Sequence, residues 1–195
     1  MASHTIYKLC PNIDGKSLLY VGFNQIIPTV GIHHKKWWYD LFSEKGFTKF
    51  TILEVFPENV RFAIKYFEEE NIPIDVVEGN VLDASEIFKE NQFDVSVFWH
   101  GPEHLPLPEI DVALQAMEKV SSKFVIIGCP NGMSIKTKQG KLYGNPYEEH
   151  ISGANEDFYK QRGFLTEEVI RKGFHPHLTA IKVLGDVKKW SKNNK

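Results

Sequence analysis

The chain predicts an α/β fold, a doubly wound and mostly parallel sheet with helices on both faces. Three observations carry that expectation. Apolar runs of strand length recur along the chain, and segments with helical periodicity separate them. The run Phe124-Val125-Ile126-Ile127 is continuously apolar, as in a strand covered on both faces. Strands that alternate with helices pair in parallel through right-handed crossovers.

The elements follow in order. Lys16-Ser17-Leu18-Leu19-Tyr20-Val21-Gly22-Phe23-Asn24 reads as a buried strand breaking into a Gly-containing turn. Residues 33–45 carry Trp37, Trp38, Leu41 and Phe42 at helical spacing, and Gly46 is a helix stop. Residues 50–55 form a second strand. Pro57 opens a helix whose apolar stripe is Val60, Ala63, Ile64 and Phe67, and Glu68-Glu69-Glu70 is its solvated end. Residues 74–77 form a short third strand and 85–89 a helical turn. Residues 93–99 form the fourth strand. Residues 107–120, with Ile110, Leu114 and Met117 on one face, form a helix, and 123–128 the fifth strand. Residues 156–172 read as helical again and 178–183 as a late strand.

The 195 residues suit one domain, 1–195, able to bury a core without metal or disulfide staples. Within it, 133–154 is rich in Gly, Lys, Asn and Tyr and reads as a lid or substrate loop, and the basic tail 188–195 as a frayed end. The composition, 42% hydrophobic and 25% charged, is that of a soluble globular protein, and the formal net charge of -2 argues against nucleic acid as a partner. Cys10 and Cys129 have no metal-ligand or redox spacing, which suggests inert thiols in a reducing compartment. No apolar run approaches the ~20 residues of a membrane span, so a cytoplasmic location is expected.

Several residues invite chemistry, each beside a plainer role. Glu54 ends the second strand, where doubly wound sheets place an acid to grip ribose hydroxyls; otherwise it is an exposed strand-end carboxylate. Gly22 and Asn24 form either a cofactor turn or an empty one. Trp99 is core packing or lines the cofactor face. His100-Gly101-Pro102-Glu103-His104 has the H-x-x-E-H spacing of a zinc-protease motif, but that motif requires a helix and Pro102 argues for a loop. The segment either satisfies its own polar groups or serves substrate binding and proton transfer. His150 is a packing residue or orients an acceptor. Trp37, Trp38 and Tyr39 beside the basic 33–36 segment read as a helix that buries one Trp against the sheet.

Taken in order, four stretches resemble the class I S-adenosylmethionine-dependent methyltransferases: Leu18-Leu19-Tyr20-Val21-Gly22-Phe23-Asn24, Leu53-Glu54-Val55, Glu78-Gly79-Asn80-Val81-Leu82-Asp83, and the 93–100 strand followed by Glu103-His104-Leu105. A fifth echo is Asn145-Pro146-Tyr147-Glu148-Glu149-His150-Ile151-Ser152. The resemblance covers nearly the whole chain and implies a Rossmann-like methyltransferase sheet. It implies S-adenosyl-L-methionine held by Gly22, Asn24, Glu54, Asn80, Val81 and Trp99. It also implies an acceptor near Glu103 and Tyr147, with His100, His104 or His150 as the proton-removing group.

The chain departs from the family in its first loop, where Tyr20 takes the place of an acid, Asn24 stands at the second glycine and nothing clear supplies the third. Asn80 replaces the usual acid near adenine. The expected activity is methyl transfer to an O- or N-nucleophile, small or polymer-bound. The reaction is an in-line displacement that requires alignment and no metal. The eroded glycines keep open a second reading, a catalytically inactive methyltransferase-like binding or regulatory protein. A dinucleotide enzyme is disfavoured, since G-x-G-x-x-G spacing is missing.

Overall fold

The computed structural model describes residues 2–23, 36–132, 144–170, 172–173 and 175–185. Strands β1 (Ser17–Val21), β2 (Lys49–Glu54), β3 (Asp75–Glu78), β4 (Phe93–Trp99) and β5 (Ser121–Pro130) pair in parallel. Two further strands, β6 (Leu165–Val169) and β7 (His177–Val183), pair antiparallel, and β7 lies against β5. The seven-stranded order is β3-β2-β1-β4-β5-β7-β6. Connections after β1 and β4 leave in opposite directions across the sheet, which makes the carboxyl ends of these two neighbours the switch point where α/β sheets bind ligands.

Strand alternation divides the core between the two faces. Leu18 and Tyr20 of β1, Ile52 of β2 and Val95 and Val97 of β4 share one cluster with Ile6 of α1 (Ala2–Leu9). Trp38 and Phe42 of α2 (Trp37–Glu44) and Phe67 of α3 (Pro57–Glu69) complete it. Leu19, Val21, Leu53, Val125 and Ile127 face the other way. They meet Ala84 of the one-turn α4 (Ala84–Ile87), Ile110, Leu114 and Met117 of α5 (Leu107–Val120) and Tyr159 of α6 (Glu156–Lys160). Each Val, Leu, Ile, Phe or Met side chain among them contributes roughly 1.5–3 kcal/mol on burial. As the sequence reading expects, one tryptophan of the pair, Trp38, is fully buried, stacked on Tyr20 at 4.4 Å.

Three departures from the sequence reading have physical causes. The helix expected over 156–172 stops at Lys160, because Gly163 takes φ +81° and the Phe164 N–H turns back to the Tyr159 carbonyl. The chain then re-enters as the edge strand β6, whose Glu167 and Glu168 suit an edge facing solvent. Residues 2–9, to which the sequence reading assigns no element, prove helical. Ile6, buried in the first core cluster, and Cys10 on the next turn hold α1 against the sheet. Asn24, residues 33–35 of the expected first helix, the 133–143 part of the expected lid and the 188–195 tail lie outside the described residues. No helix among the described residues is long and apolar enough to cross a membrane.

Candidate functional site at the carboxyl edge of the sheet

At the tip of β1, Gly22 adopts φ +80° and donates its N–H to the Leu53 carbonyl at 2.9 Å. Among the described residues, a Cβ built there meets nothing within 4 Å, so none of them covers the turn. The next residue is fixed inward: Phe23 is buried against Phe67, with ring centroids 5.3 Å apart, and leans on Phe62 and Tyr66 of α3. Such a turn brings bare backbone to the rim while its neighbour anchors it.

Glu54, at the tip of β2, is only 4% exposed. Its Oε2 accepts the Phe23 N–H at 2.5 Å, and its Oε1 accepts from the Phe56 N–H at 2.8 Å and the Asn59 amide at 3.4 Å. Burial pushes this carboxyl above the usual range. The three donors pull it back, and the nearby Glu148 charge pushes it up again. A carboxylate offers about four lone-pair sites, so three bonds leave one for a ligand. Glu54 thus ties the first turn to the start of α3, and its burial departs from the exposed strand-end carboxylate weighed as its plainer role. Asn59 had no sequence signal beyond lying on the first turn after Pro57.

Asn80 accepts the Leu82 N–H on its side-chain oxygen at 3.1 Å and so caps the 3-10 turn Val81–Asp83. Val81 is buried among Leu53, Ala84 and α5, so its side chain belongs to the core. Trp99 ends β4 half-buried, stacked on His177 at 5.1 Å and edge-on to Trp37 at 5.0 Å. Gly128 on β5 permits this, since a Cβ there would fall 2.3 Å from the Trp99 ring. His177 was not singled out from the sequence. Only the antiparallel register that pairs it with Pro130 brings it to this rim.

Beyond β4 the chain makes a 3-10 turn, Pro102–His104, so the H-x-x-E-H segment is not an α-helix, as Pro102 implied. His100 sits at φ +54°, a conformation uncommon for a non-glycine residue and frequent at functional sites. Its N–H bonds the Gly128 carbonyl at 2.7 Å and its Nδ1 lies 3.2 Å from Glu103 Oε1. Glu103 is 3% exposed, and its carbonyl accepts the Ile151 and Ser152 N–H groups at 2.9 and 3.3 Å. That docking brings the 145–152 segment to the end of β4. His150 then packs on His104 with ring centroids 5.0 Å apart, and His104 Nδ1 meets the Glu149 carbonyl at 3.2 Å.

Burial opposes charge on Glu103, yet the His100 hydrogen bond and the positive charge of His100 and His104 hold its carboxyl below the usual range. Burial also lowers the His150 pKa, which keeps that imidazole neutral near pH 7. Burial and the Glu103 charge push the Cys129 thiol up to about 12, so it is inert, as read from the sequence. Tyr147 is half-exposed on the one-turn 3-10 helix Pro146–Glu148, which Asn145 caps through the Tyr147 N–H. The structure therefore gathers His100, Glu103, His104 and His150 into one cluster, with Gly22, Glu54 and Asn80 along the same edge.

No protein-family model and no curated protein matches the sequence. Solved structures do. A protein of Pyrococcus horikoshii OT3 superposes with a TM-score of 0.64 at 12% identity, over 92% of this chain and 86% of that one. A SAM-dependent methyltransferase from Archaeoglobus fulgidus superposes at 0.55 and 13% identity, over 87% and 86%. The fold is that of the class I methyltransferases. An O-methyltransferase family protein from Burkholderia thailandensis shares it at a TM-score of 0.60 and 12% identity, over 88% of this chain and 52% of that one. In this methyltransferase fold the described rim residues occupy the carboxyl ends of β1, β2 and β4.

Proposed function

We propose that the chain binds S-adenosyl-L-methionine across the carboxyl ends of β1 and β4 and transfers its methyl group to an O- or N-nucleophile. The observation that carries this reading is the space over Gly22 that none of the described residues fills, at the switch point of a methyltransferase fold. The sulfonium supplies an already activated methyl, so the protein's task is alignment and, for a protonated acceptor, removal of a proton.

In this reading the Gly22 backbone approaches the donor. Glu54 shapes the turn and offers its remaining lone pair to a ribose hydroxyl. Asn80 and the main chain at Val81 face the base, and Trp99 walls the site. Glu103 and Tyr147 lie toward the acceptor. His150, held neutral by burial, takes the proton, with His100 and His104 beside it. The described residues 144–154 lie toward the acceptor as part of a single domain. Glu148 lies near enough to Glu54 for its charge to be felt there, while His150 packs on His104, so one short segment reaches both halves of the site.

A second reading has its own support. Three of the four acceptor sites of Glu54 are already used inside the protein, which weakens the ribose grip and favours a binding protein without turnover. Calorimetry with S-adenosylmethionine and S-adenosylhomocysteine, followed by methyl transfer from labelled donor to a panel of hydroxyl and amine acceptors, separates them. Binding with transfer supports the enzyme, binding without transfer the second reading, and no heat at millimolar ligand removes both.

A further inference from the structure

We infer that Glu103, His104 and His150 form a binding site for a divalent first-row transition-metal ion. The sequence reading required no metal, and this site stands independently of the methyl-transfer reading. One donor atom from each residue lies within 4.8 Å of the others. Ligands around a tetrahedral ion at ~2.1 Å stand roughly 3.4 Å apart, so closing the set takes only a small inward movement.

Two further observations point to a ligand. Glu103 is 3% exposed, its Oε1 is taken by His100, and its Oε2 has no hydrogen-bond partner among the described residues. An unsatisfied oxygen at that depth carries a desolvation penalty that a cation removes. The second observation is the orientation of the imidazole. The Glu149 carbonyl can only accept, so His104 Nδ1 carries a proton, and in the neutral ring Nε2 is the nitrogen that offers a lone pair. A ring N–H given to a main-chain carbonyl is the arrangement that fixes a metal-ligating histidine, and the His100 bond to Glu103 Oε1 plays the same part for the carboxylate.

Two imidazoles and one carboxylate suit Zn²⁺, Co²⁺ or Mn²⁺ rather than Mg²⁺, which prefers oxygen ligands and water. Three protein donors leave at least one position for water or for an oxygen of a bound molecule. If the methyl-transfer reading also holds, that position selects an oxygen acceptor and lowers its pKa, and His100, outside the ligand set, takes the proton in place of His150.

The test uses the full chain, tag removed and stripped with chelator, titrated calorimetrically with Zn²⁺, Mn²⁺ and Mg²⁺. A parallel Co²⁺ titration is followed by visible absorption. The expected result is one ion per chain, tighter for Zn²⁺ than for Mn²⁺, with no Mg²⁺ response and a Co²⁺ spectrum showing nitrogen ligation. Glu103→Gln, His104→Gln and His150→Gln should each weaken binding at least about 10-fold, and His175→Gln, at an exposed histidine outside the cluster, should leave it unchanged. Should Glu103→Gln fail to fold, the half-buried His150→Gln decides alone. Absent stoichiometric binding, an equal response to Mg²⁺, or binding that survives His104→Gln and His150→Gln overturns the site.

Discussion

Glu54 and Glu103 are the two buried carboxylates of the carboxyl edge, 4% and 3% exposed, and the protein treats them in opposite ways. Glu54 receives three internal donors spread over both oxygens and lies near another negative charge. Glu103 has one oxygen bonded to His100 and the other without a partner among the described residues, and it faces imidazoles instead of a carboxylate. A buried acid whose valences are filled from within serves the scaffold. A buried acid left half-satisfied is held ready for something from outside. The same contrast appears in the glycines at the two strand ends. A Cβ on Gly22 meets none of the described residues within 4 Å, whereas one on Gly101 would lie 1.7 Å from the Phe98 ring. The β1 end is open and locked from below; the β4 end is packed and polar.

The largest effect that tests this contrast is expected at Glu54. Glu54→Gln puts an amide against the Phe23 or Phe56 N–H and orphans a buried donor. Chemical denaturation should show a loss of about 2 kcal/mol or more. Glu103→Gln, measured in metal-free protein, should cost at least ~1 kcal/mol less; equal costs would erase the distinction between the two acids. Next comes Gly101→Ala, where the clash with Phe98 should cost about 1–3 kcal/mol, read as a shift in denaturation midpoint with an unchanged slope.

A pH series sharpens the comparison with the amino edge. The folded Glu54 pKa is raised, so the native state holds its proton longer than the unfolded chain. Its contribution is present below the unfolded pKa and is lost as pH rises through the folded value. Burial pushes the Asp94 pKa up, but the Lys16 and Ser17 N–H groups and Lys123 hold it lower overall. Its contribution is present above the unfolded value and lost as pH falls through the folded one. The stability difference between the native chain and Glu54→Gln should therefore shrink from pH 4 upward, and that for Asp94→Asn should grow from acid pH toward the unfolded aspartate pKa near 3.9, measured by denaturant unfolding. The smallest effect belongs to the half-exposed Tyr147. Tyr147→Ala should change stability by less than ~0.5 kcal/mol while altering any acceptor KM, which urea unfolding and steady-state kinetics would show.

Much of this architecture was legible because each central strand is a distinct apolar run and each covering helix has a stripe. Glu54 was recognisable from its place after Ile52-Leu53, yet not its partners, since the Phe23 N–H and the Asn59 amide arrive from separate elements. The β6 strand was misread as helix because its five residues alternate too briefly to outweigh the helical lead-in from Glu156. His100, Glu103 and His104 were visible as a spacing. That His150 joins them depends on Ile151 and Ser152 docking on the Glu103 carbonyl, a long-range closure no local pattern encodes. The tautomer of His104 likewise depends on the Glu149 carbonyl, which only the folded chain supplies.

The open turn over Gly22 carries the most weight, and one substitution addresses it. Gly22→Val places a branched side chain in the space an adenosyl ligand would need, at a left-handed position that costs about 1–2 kcal/mol. Calorimetric titration with S-adenosylhomocysteine should show binding to the native chain and at least a ten-fold loss in the variant, provided its far-UV circular dichroism is native. Affinity unchanged by Gly22→Val, or no heat from the native chain at millimolar ligand, would contradict the account.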